Sequence, residues 1–279
     1  MMDAQNVVAL EDAVEAGHFG GKAAGLARAV RAGLPVPPGL AIGWELAARV
    51  EGKSPEAVER LRQQASGLRF PVAVRSSGLE EDSRGRSFAG QHLSQLGVGT
   101  LVSLVEAVGE VVRSASASTV YRQRMGVSAS LRMGVVVQEM VRASVAGILF
   151  TCDPVTGRDE RLVEAAWGLG EVVVQGQVIP DRFRMDRQGR LLERVAGEKP
   201  VEIQLGEDGG TRQVEVEPAR RTGLCLTEAQ CGELHRLASA CEQAYGGKLD
   251  IEWALGERGL ALLQCRPVTR AAPPRKSIF

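Results

Sequence analysis

The chain has 279 residues, 44% of them hydrophobic, with 34 basic and 34 acidic side chains, so its formal net charge is zero. A chain of this size buries roughly three-quarters of the surface its unfolded form exposes, which excludes disorder as the default. A balanced charge excludes a bulk field that draws nucleic acid or an anionic membrane, so any phosphate site is local.

Read in chain order, Gly20-Gly21 precede an alanine-rich stretch from Lys22 that is predicted as a helix and stops at Gly33. A rigid turn, Leu34-Pro35-Val36-Pro37-Pro38-Gly39, follows it. A second helix is expected over 55–66, then a short strand over 71–75 that opens into a polar loop, 76–87. Residues 101–125 read as helix, and 133–141 and 145–151 as two β-rich runs joined by Arg142-Ala143-Ser144. Beyond Asp153-Pro154 come a strand over 161–167, a stretch with Gly168, Gly170 and Gly176, and short strands near 181–186 and 191–195. The polar region 198–222 reads as an irregular hairpin, and Thr227 as the N-cap of a helix over 228–245 that ends at Gly246-Gly247. Strands in runs mixed with helices, without a steady βαβ rhythm, predict the α+β class with largely antiparallel sheets.

The longest apolar stretches, 135–137 and 146–150, fall far short of the ~20 residues of a membrane-spanning helix. Met1-Met2-Asp3-Ala4-Gln5 lacks the basic-then-apolar order of a secretory signal, so a cytoplasmic location and no membrane partner are expected. Cys152, Cys225, Cys231, Cys241 and Cys265 form no C-x-x-C pair and read as reduced, packed thiols.

The C-terminal end is chemically the most informative. Residues 249–255 alternate strictly, and 260–266 follow after Gly256-Glu257-Arg258-Gly259, which predicts a hairpin. With a three-residue loop, Glu257-Arg258-Gly259, the register sets Leu255 opposite Ala261, Trp253 opposite Leu263 and Ile251 opposite Cys265 on a wholly apolar face. The other face then sets Glu252 opposite Gln264 and Asp250 opposite Arg266. Two carboxylates, an amide oxygen and a guanidinium on one face suit a hard cation bound to polyphosphate, because Mg²⁺ takes oxygen ligands and arginine grips phosphate with two bonds. For the hairpin alone, a solvated face with a cross-strand Asp–Arg pair stays open as the alternative.

Five segments stand in order: "GGKAAGLARAVRAGLPVPPGL", "VAVRSSGLEEDSRGRSFAGQ", "VVVQEMVRASVAGILFTCDPVTG", "AAWGLGEVVVQGQVIPDRF" and "LDIEWALGERGLALLQCRPVT". Together they resemble the ATP-binding domain shared by phosphoenolpyruvate synthase, pyruvate phosphate dikinase and rifampin phosphotransferase. The resemblance implies an ATP-grasp architecture of two lobes within one domain, 1–270, followed by a flexible tail, 271–279.

By that resemblance Lys22, Arg75 and Arg266 are the phosphate-binding and catalytic cations. Ser87–Gln91, with Gly90, resembles a mobile loop over the triphosphate, and after it Leu93-Ser94 stands where relatives carry an acidic residue and Thr. Gln138, Glu139 and Val141 lie beside adenine, and Glu252 and Gln264 are the donors linked to Mg²⁺. Relatives phosphorylate a histidine in a Thr-Ser-His motif, which His18, His92 and His235 do not match. The expected function is therefore an Mg-ATP-dependent phosphotransferase subunit that passes a phosphoryl or pyrophosphoryl group to a histidine on a partner protein, with a further substrate domain beyond it. A non-catalytic nucleotide-binding regulatory module and an ATP-grasp ligase are the alternatives.

Overall fold

The computed structural model describes residues 6–78, 94–124 and 132–268, with side chains over 94–114 in the second stretch. The tail expected over 271–279 lies outside the described residues. The chain groups into two compact units, one of Met1–Ser83, Ser87–Val141 and Leu205–Arg212, the other of Arg84–Arg86, Arg142–Gln204 and Gln213–Phe279.

In the first unit, β1 (Val7–Ala9) leads through a 3₁₀ turn into α1 (Ala16–Phe19) and α2 (Gly21–Arg31), then β2 (Gly39–Ile42), α3 (Trp44–Glu51) and α4 (Pro55–Ala65). There follow β3 (Val72–Gly78), β4 (Ser94–Val98), α5 (Leu101–Arg124) and β5 (Met133–Glu139). The strands form one antiparallel sheet in the order β1-β2-β5-β3-β4. Val72, Val74, Val135 and Val137 pack on one side with Leu46, Leu61, Leu104 and Val108, while Ala41 and Val136 pack on the other with Ala23, Leu26 and Ala27. Helices on both faces explain why 135–137 is an unbroken apolar run. Where the sequence predicts a loop from residue 76, Ser76, Ser77 and Gly78 continue β3, because each pairs with β5. The rest of that expected loop, 79–87, lies outside the described residues. Three short strands, β1, β2 and β4, and helices α1 and α3 go unpredicted; at three to eight residues they carry too little periodicity to declare themselves.

The second unit contains β6 (Ala143–Phe150), β7 (Arg161–Trp167), α6 (Glu171–Val174), β8 (Asp181–Met185), β9 (Leu191–Val195) and most of β10 (Val201–Leu205) and β11 (Thr211–Glu215), whose Leu205, Thr211 and Arg212 group with the first. It ends with α7 (Pro218–Arg221), α8 (Glu228–Tyr245), β12 (Leu249–Gly256) and β13 (Gly259–Pro267). Its main sheet is antiparallel throughout, in the order β13-β12-β6-β7-β8-β9; β10 and β11 form a separate two-stranded sheet, with Ile203 of β10 bridged to Gly168. The α+β class with antiparallel sheets is thus the observed one. The polar stretch read as an irregular hairpin holds β10, β11 and the short α7.

Helix α8 begins with the predicted cap: Thr227 Oγ1 accepts the Gln230 N–H at 3.3 Å, and the Gln230 side chain accepts the Thr227 N–H at 2.8 Å. The helix is fastened by Arg161, fully buried on β7, which donates to the His235 carbonyl and ring Nδ1, to Ser239 Oγ at 2.8 Å and to Glu242 at 3.0 Å. Arg161 shares its side of the sheet with Val163 and Ala165, so α8 covers that face, and Leu162, Glu164 and Ala166 point to the opposite one. A second buried pair joins loops to the sheet, since Asp181 accepts Lys199 Nζ, the Gly197 N–H at 2.7 Å and the Cys225 N–H at 2.6 Å. All five cysteines are unpaired and buried, and burial raises the thiols of Cys152, Cys225 and Cys231, the reverse of what a reactive thiol needs. No described helix is long and apolar enough to cross a membrane.

The α8 fastening makes a pH prediction. Arginine only donates, so His235 Nδ1 accepts and the ring is neutral. Burial, then the fields of Arg161 and Arg187, hold His235 below its ordinary value of 6.5. The unfolded chain therefore takes up this proton first, so the contribution is complete above that ordinary value and is lost as pH falls through the folded one. Thermal melts of the wild type should drop between about pH 7.5 and 5.5, by about 2–4 °C for each kcal/mol lost. His235→Asn, which keeps an acceptor but cannot be protonated, should flatten that slope; equal slopes in the two proteins would refute the assignment.

Candidate functional site

The first unit gathers cations around the start of α2. Its first turn has no side-chain cap of its own; Ser77 of β3 supplies one, its Oγ accepting the Ala23 N–H at 3.1 Å. Beside it Lys22 Nζ donates to the Ser76 carbonyl at 2.7 Å, so the lysine is held one residue from Arg75. Gly20 makes this close approach possible: its φ is +88°, and a Cβ there would lie 2.0 Å from the Ser77 carbonyl oxygen. Arg75 in turn stands opposite Ser94 of β4. Alternation along β3 places Arg75 on the same side as Ser77, which is the α2 side. Lys22, Arg75 and Ser94 therefore share one corner of this sheet, beside the start of α2. Gly90 lies outside the described residues.

The segment 138–141 is more deeply engaged than its sequence shows. Gln138 is buried and its Nε2 donates to the Pro37 carbonyl at 3.3 Å. The Glu139 carboxylate accepts the Arg69 backbone N–H at 3.0 Å and lies 3.5 Å from Arg69 Nε. The amides of Glu139 and Met140 donate to the carbonyls of Pro38 and Pro71, at 2.8 and 3.1 Å. Val141 follows, half-buried.

In the second unit, β12 and β13 bring together the residues that sequence reasoning placed on one face. Glu252 is opposite Gln264, Asp250 opposite Arg266, and Ile251 opposite Cys265. The turn end differs from expectation. Two residues, Glu257 and Arg258, form the loop, Gly256 pairs with Gly259 at φ +93°, Leu255 with Leu260 and Ala254 with Ala261. Trp253 faces Leu262 rather than Leu263, and a bulge between Glu252 and Trp253 absorbs the extra residue. Leu262 and Gln264, two apart in sequence, thereby reach opposite faces, and Leu262 becomes fully buried while Gln264 stays half-exposed. A tight turn plus a bulge satisfies the same burial constraint as the longer loop, so burial alone did not choose between them.

On the polar face, Arg266 Nε and Nη2 both approach Asp250 Oδ2 at 2.9 Å, the cross-strand pair that the solvated reading anticipates. Asp250 Oδ1 is buried and has no hydrogen-bond partner. Burial raises the Asp250 carboxyl above the usual range; Arg266 opposes this and Glu252 adds to it. An orphaned carboxylate oxygen beside Glu252 and Gln264 is a mismatch that a cation or a hydrogen-bond donor repairs. Among the described residues no group of three or more His, Cys, Asp and Glu side chains is placed to hold a metal by itself. Mg²⁺ is compatible with that, because it takes one or two carboxylates and completes its shell with phosphate oxygens and water. Two groups escaped the sequence reading of the site: the capping Ser77, visible only as the second serine of "VRSS", and the unsatisfied Asp250 oxygen.

A family model described as "Pyruvate phosphate dikinase, AMP/ATP-binding domain" matches residues 44–278. The chain belongs to this family. Over 295 residues it is 34% identical to the prodigiosin synthesizing transferase PigC of Serratia marcescens, covering 95% of this chain and 33% of that protein. It is 34% identical to a rifampicin phosphotransferase of a Streptomyces species, covering 98% of this chain and 37% of the relative. A probable phosphoenolpyruvate synthase of Methanothermobacter thermautotrophicus is 30% identical, with 91% and 44% covered. The chain thus spans less than half the length of each of these relatives. It is an ATP-binding domain of the phosphoenolpyruvate synthase and pyruvate phosphate dikinase family of phosphotransferases.

The α2 corner is open to a direct test. Gly20→Ala forces a Cβ into the Ser77 carbonyl at a backbone conformation alanine avoids, and should destabilise the protein by more than about 2 kcal/mol in urea melts. Ser77→Ala removes only the cap and should cost about 1 kcal/mol. Equal stability of Gly20→Ala and wild type would show that the docking of α2 on β3 is wrong.

Proposed function

We propose that this ATP-binding domain holds Mg-ATP and transfers a phosphoryl or pyrophosphoryl group to a histidine on a separate partner protein. The observation that carries the reading is the polar face of β12 and β13, where Glu252, Gln264 and Arg266 surround the buried, unpartnered Asp250 Oδ1. Glu252 and Gln264 would hold the metal, and Mg²⁺ bound there would neutralise charge on the terminal phosphates. Lys22, Arg75 and Arg266 would grip the phosphates, Ser94 of β4 would add a hydroxyl beside Arg75, Gly90 would belong to the loop that closes over them, and the 138–141 segment with Gln138, Glu139 and Val141 would lie beside adenine.

Chemistry then needs little beyond positioning. An imidazole nitrogen of the partner's histidine forms a bond to phosphorus as the phosphorus–oxygen bond to the leaving group breaks, and the leaving oxygen keeps the electron pair. Arg266 is the group that meets the migrating charge, since electrostatic stabilisation supplies most of the rate in phosphoryl transfer. Support for an acceptor elsewhere comes from the sequence, in which none of His18, His92 and His235 stands in a Thr-Ser-His motif. His235 is engaged with Arg161, His18 packs edge-on against Phe19 with ring centroids 4.5 Å apart, and His92 lies outside the described residues. Arg266 is held by Asp250 at one edge, which presets the guanidinium plane.

Calorimetry of the chain with ATP, with and without Mg²⁺, should show Mg-dependent binding. Addition of a domain bearing a Thr-Ser-His motif should then yield AMP and a pyrophosphorylated histidine, which loses one orthophosphate to water to leave an acid-labile phosphohistidine. Arg266→Lys keeps a charge beside Asp250 but loses the planar fork, and should lower turnover by about 10²-fold with little change in ATP affinity. Glu252→Gln should raise the Mg²⁺ requirement, with added Mg²⁺ recovering part of the activity. Both should melt like wild type; ATP bound but never transferred would make the chain a nucleotide-binding module instead.

A further inference from the structure

The register of the six-stranded sheet extends the polar face beyond β12 and β13. Gln264 pairs with Glu252, Glu252 with Ile148 of β6, Ile148 with Glu164 of β7, and Glu164 with Arg182 of β8, so all five residues lie in one row. Paired residues share a face, and this is the face turned away from α8. Adjacent strands are about 4.8 Å apart, so Glu164 stands about 10 Å along the row from the Glu252 backbone.

Glu164 is half-buried, yet among the described residues its carboxylate makes no hydrogen bond and no ion pair. Its neighbour Arg182 is drawn the other way, with Nη2 3.9 Å from Glu193 Oε1. Burial raises the Glu164 carboxyl, with Arg182 opposing only through its field. Strand β7 is otherwise apolar between Leu162 and Trp167, so nothing in the packing of the unit calls for an acid here. A half-buried carboxylate without a donor is costly unless a ligand brings one. Glu171 is likewise raised by burial, but it lies on the four-residue α6, off this row.

We propose that Glu164 binds the sugar of the nucleotide, its carboxylate accepting hydrogen bonds from the ribose hydroxyls. The inference rests on the reading of this face as the ATP site. Two strand spacings from the metal donors match the reach from the terminal phosphates to the ribose, and Ile148, half-exposed between Glu252 and Glu164, offers an apolar surface under the chain of atoms that joins them. A vicinal diol presents two donors and no charge, which a single carboxylate with two oxygens satisfies. Glu164 is thus a specificity residue for ribonucleotides, separate from the groups that handle the phosphates.

The test compares Mg-ATP with Mg-2′,3′-dideoxy-ATP by calorimetry on wild type, Glu164→Ala and Glu164→Gln. Wild type should prefer ATP by about tenfold or more, the scale of a hydrogen bond to a charged group. Glu164→Ala should bind ATP about tenfold more weakly and lose the preference, and Glu164→Gln, with a neutral acceptor, should fall between. Both variants should melt like wild type, since no partner is removed. A merely structural role would weaken both nucleotides alike and leave the ratio unchanged, which overturns the proposal, as does a wild type that binds both equally. Failure of wild type to bind ATP at all would instead refute the nucleotide reading itself.

Discussion

Side-chain alternation, kept in step across six strands, is the constraint on which the second unit depends. One face must carry Ile251, Trp253, Val163, Phe183 and Leu262 into the core, and every residue between them is thereby assigned to the other face. A slip of one residue anywhere would bury Glu252 and Gln264 and expose Trp253. The bulge between Glu252 and Trp253 is where the chain reconciles a two-residue turn with that demand. Because the same rule runs from β13 to β8, the polar row is set by core packing, and the oxygens that could serve a nucleotide are positioned by rigid neighbours rather than by loops.

The first unit solves a different problem, the placement of a lysine and an arginine together. Like charges repel, and neither side chain can hold the other. Backbone and hydroxyl oxygens of β3 do it instead: the Ser76 carbonyl holds Lys22, and Ser77 caps the helix from which that lysine projects. The approach is so close that only glycine fits at position 20. The result is a corner with positive charge, a helix start and fixed geometry, which suits an anion better than separate flexible cations would.

Several polar groups are already paired within the protein. Glu139 is tied to Arg69, and Arg266 to Asp250. For Arg266 the pairing narrows its rotamers before any ligand binds. For Glu139 it favours a positioning role, in which the carboxylate holds the end of β5 against the segment before β3.

Much of this protein was legible in the sequence. The strict alternation of 249–255, the Thr227 cap with its Gln230 partner and the unbroken apolar run at 135–137 are local patterns, and local patterns survive without tertiary information because period and capping act over a few residues. The pairing of Glu252 with Gln264 and of Asp250 with Arg266 followed from them. The turn end of the same hairpin did not, since a longer loop and a tight turn with a bulge bury equally well on paper, and only the fit of Leu262 beside Trp253 separates them. Ser77 as a helix cap, Asp181 as the partner of Lys199, and Glu164 in line with Glu252 join residues 54, 18 and 88 positions apart. Composition and spacing carry no signal at such separations, because those pairs exist only once β3 lies against α2 and the strands of the second unit are in register.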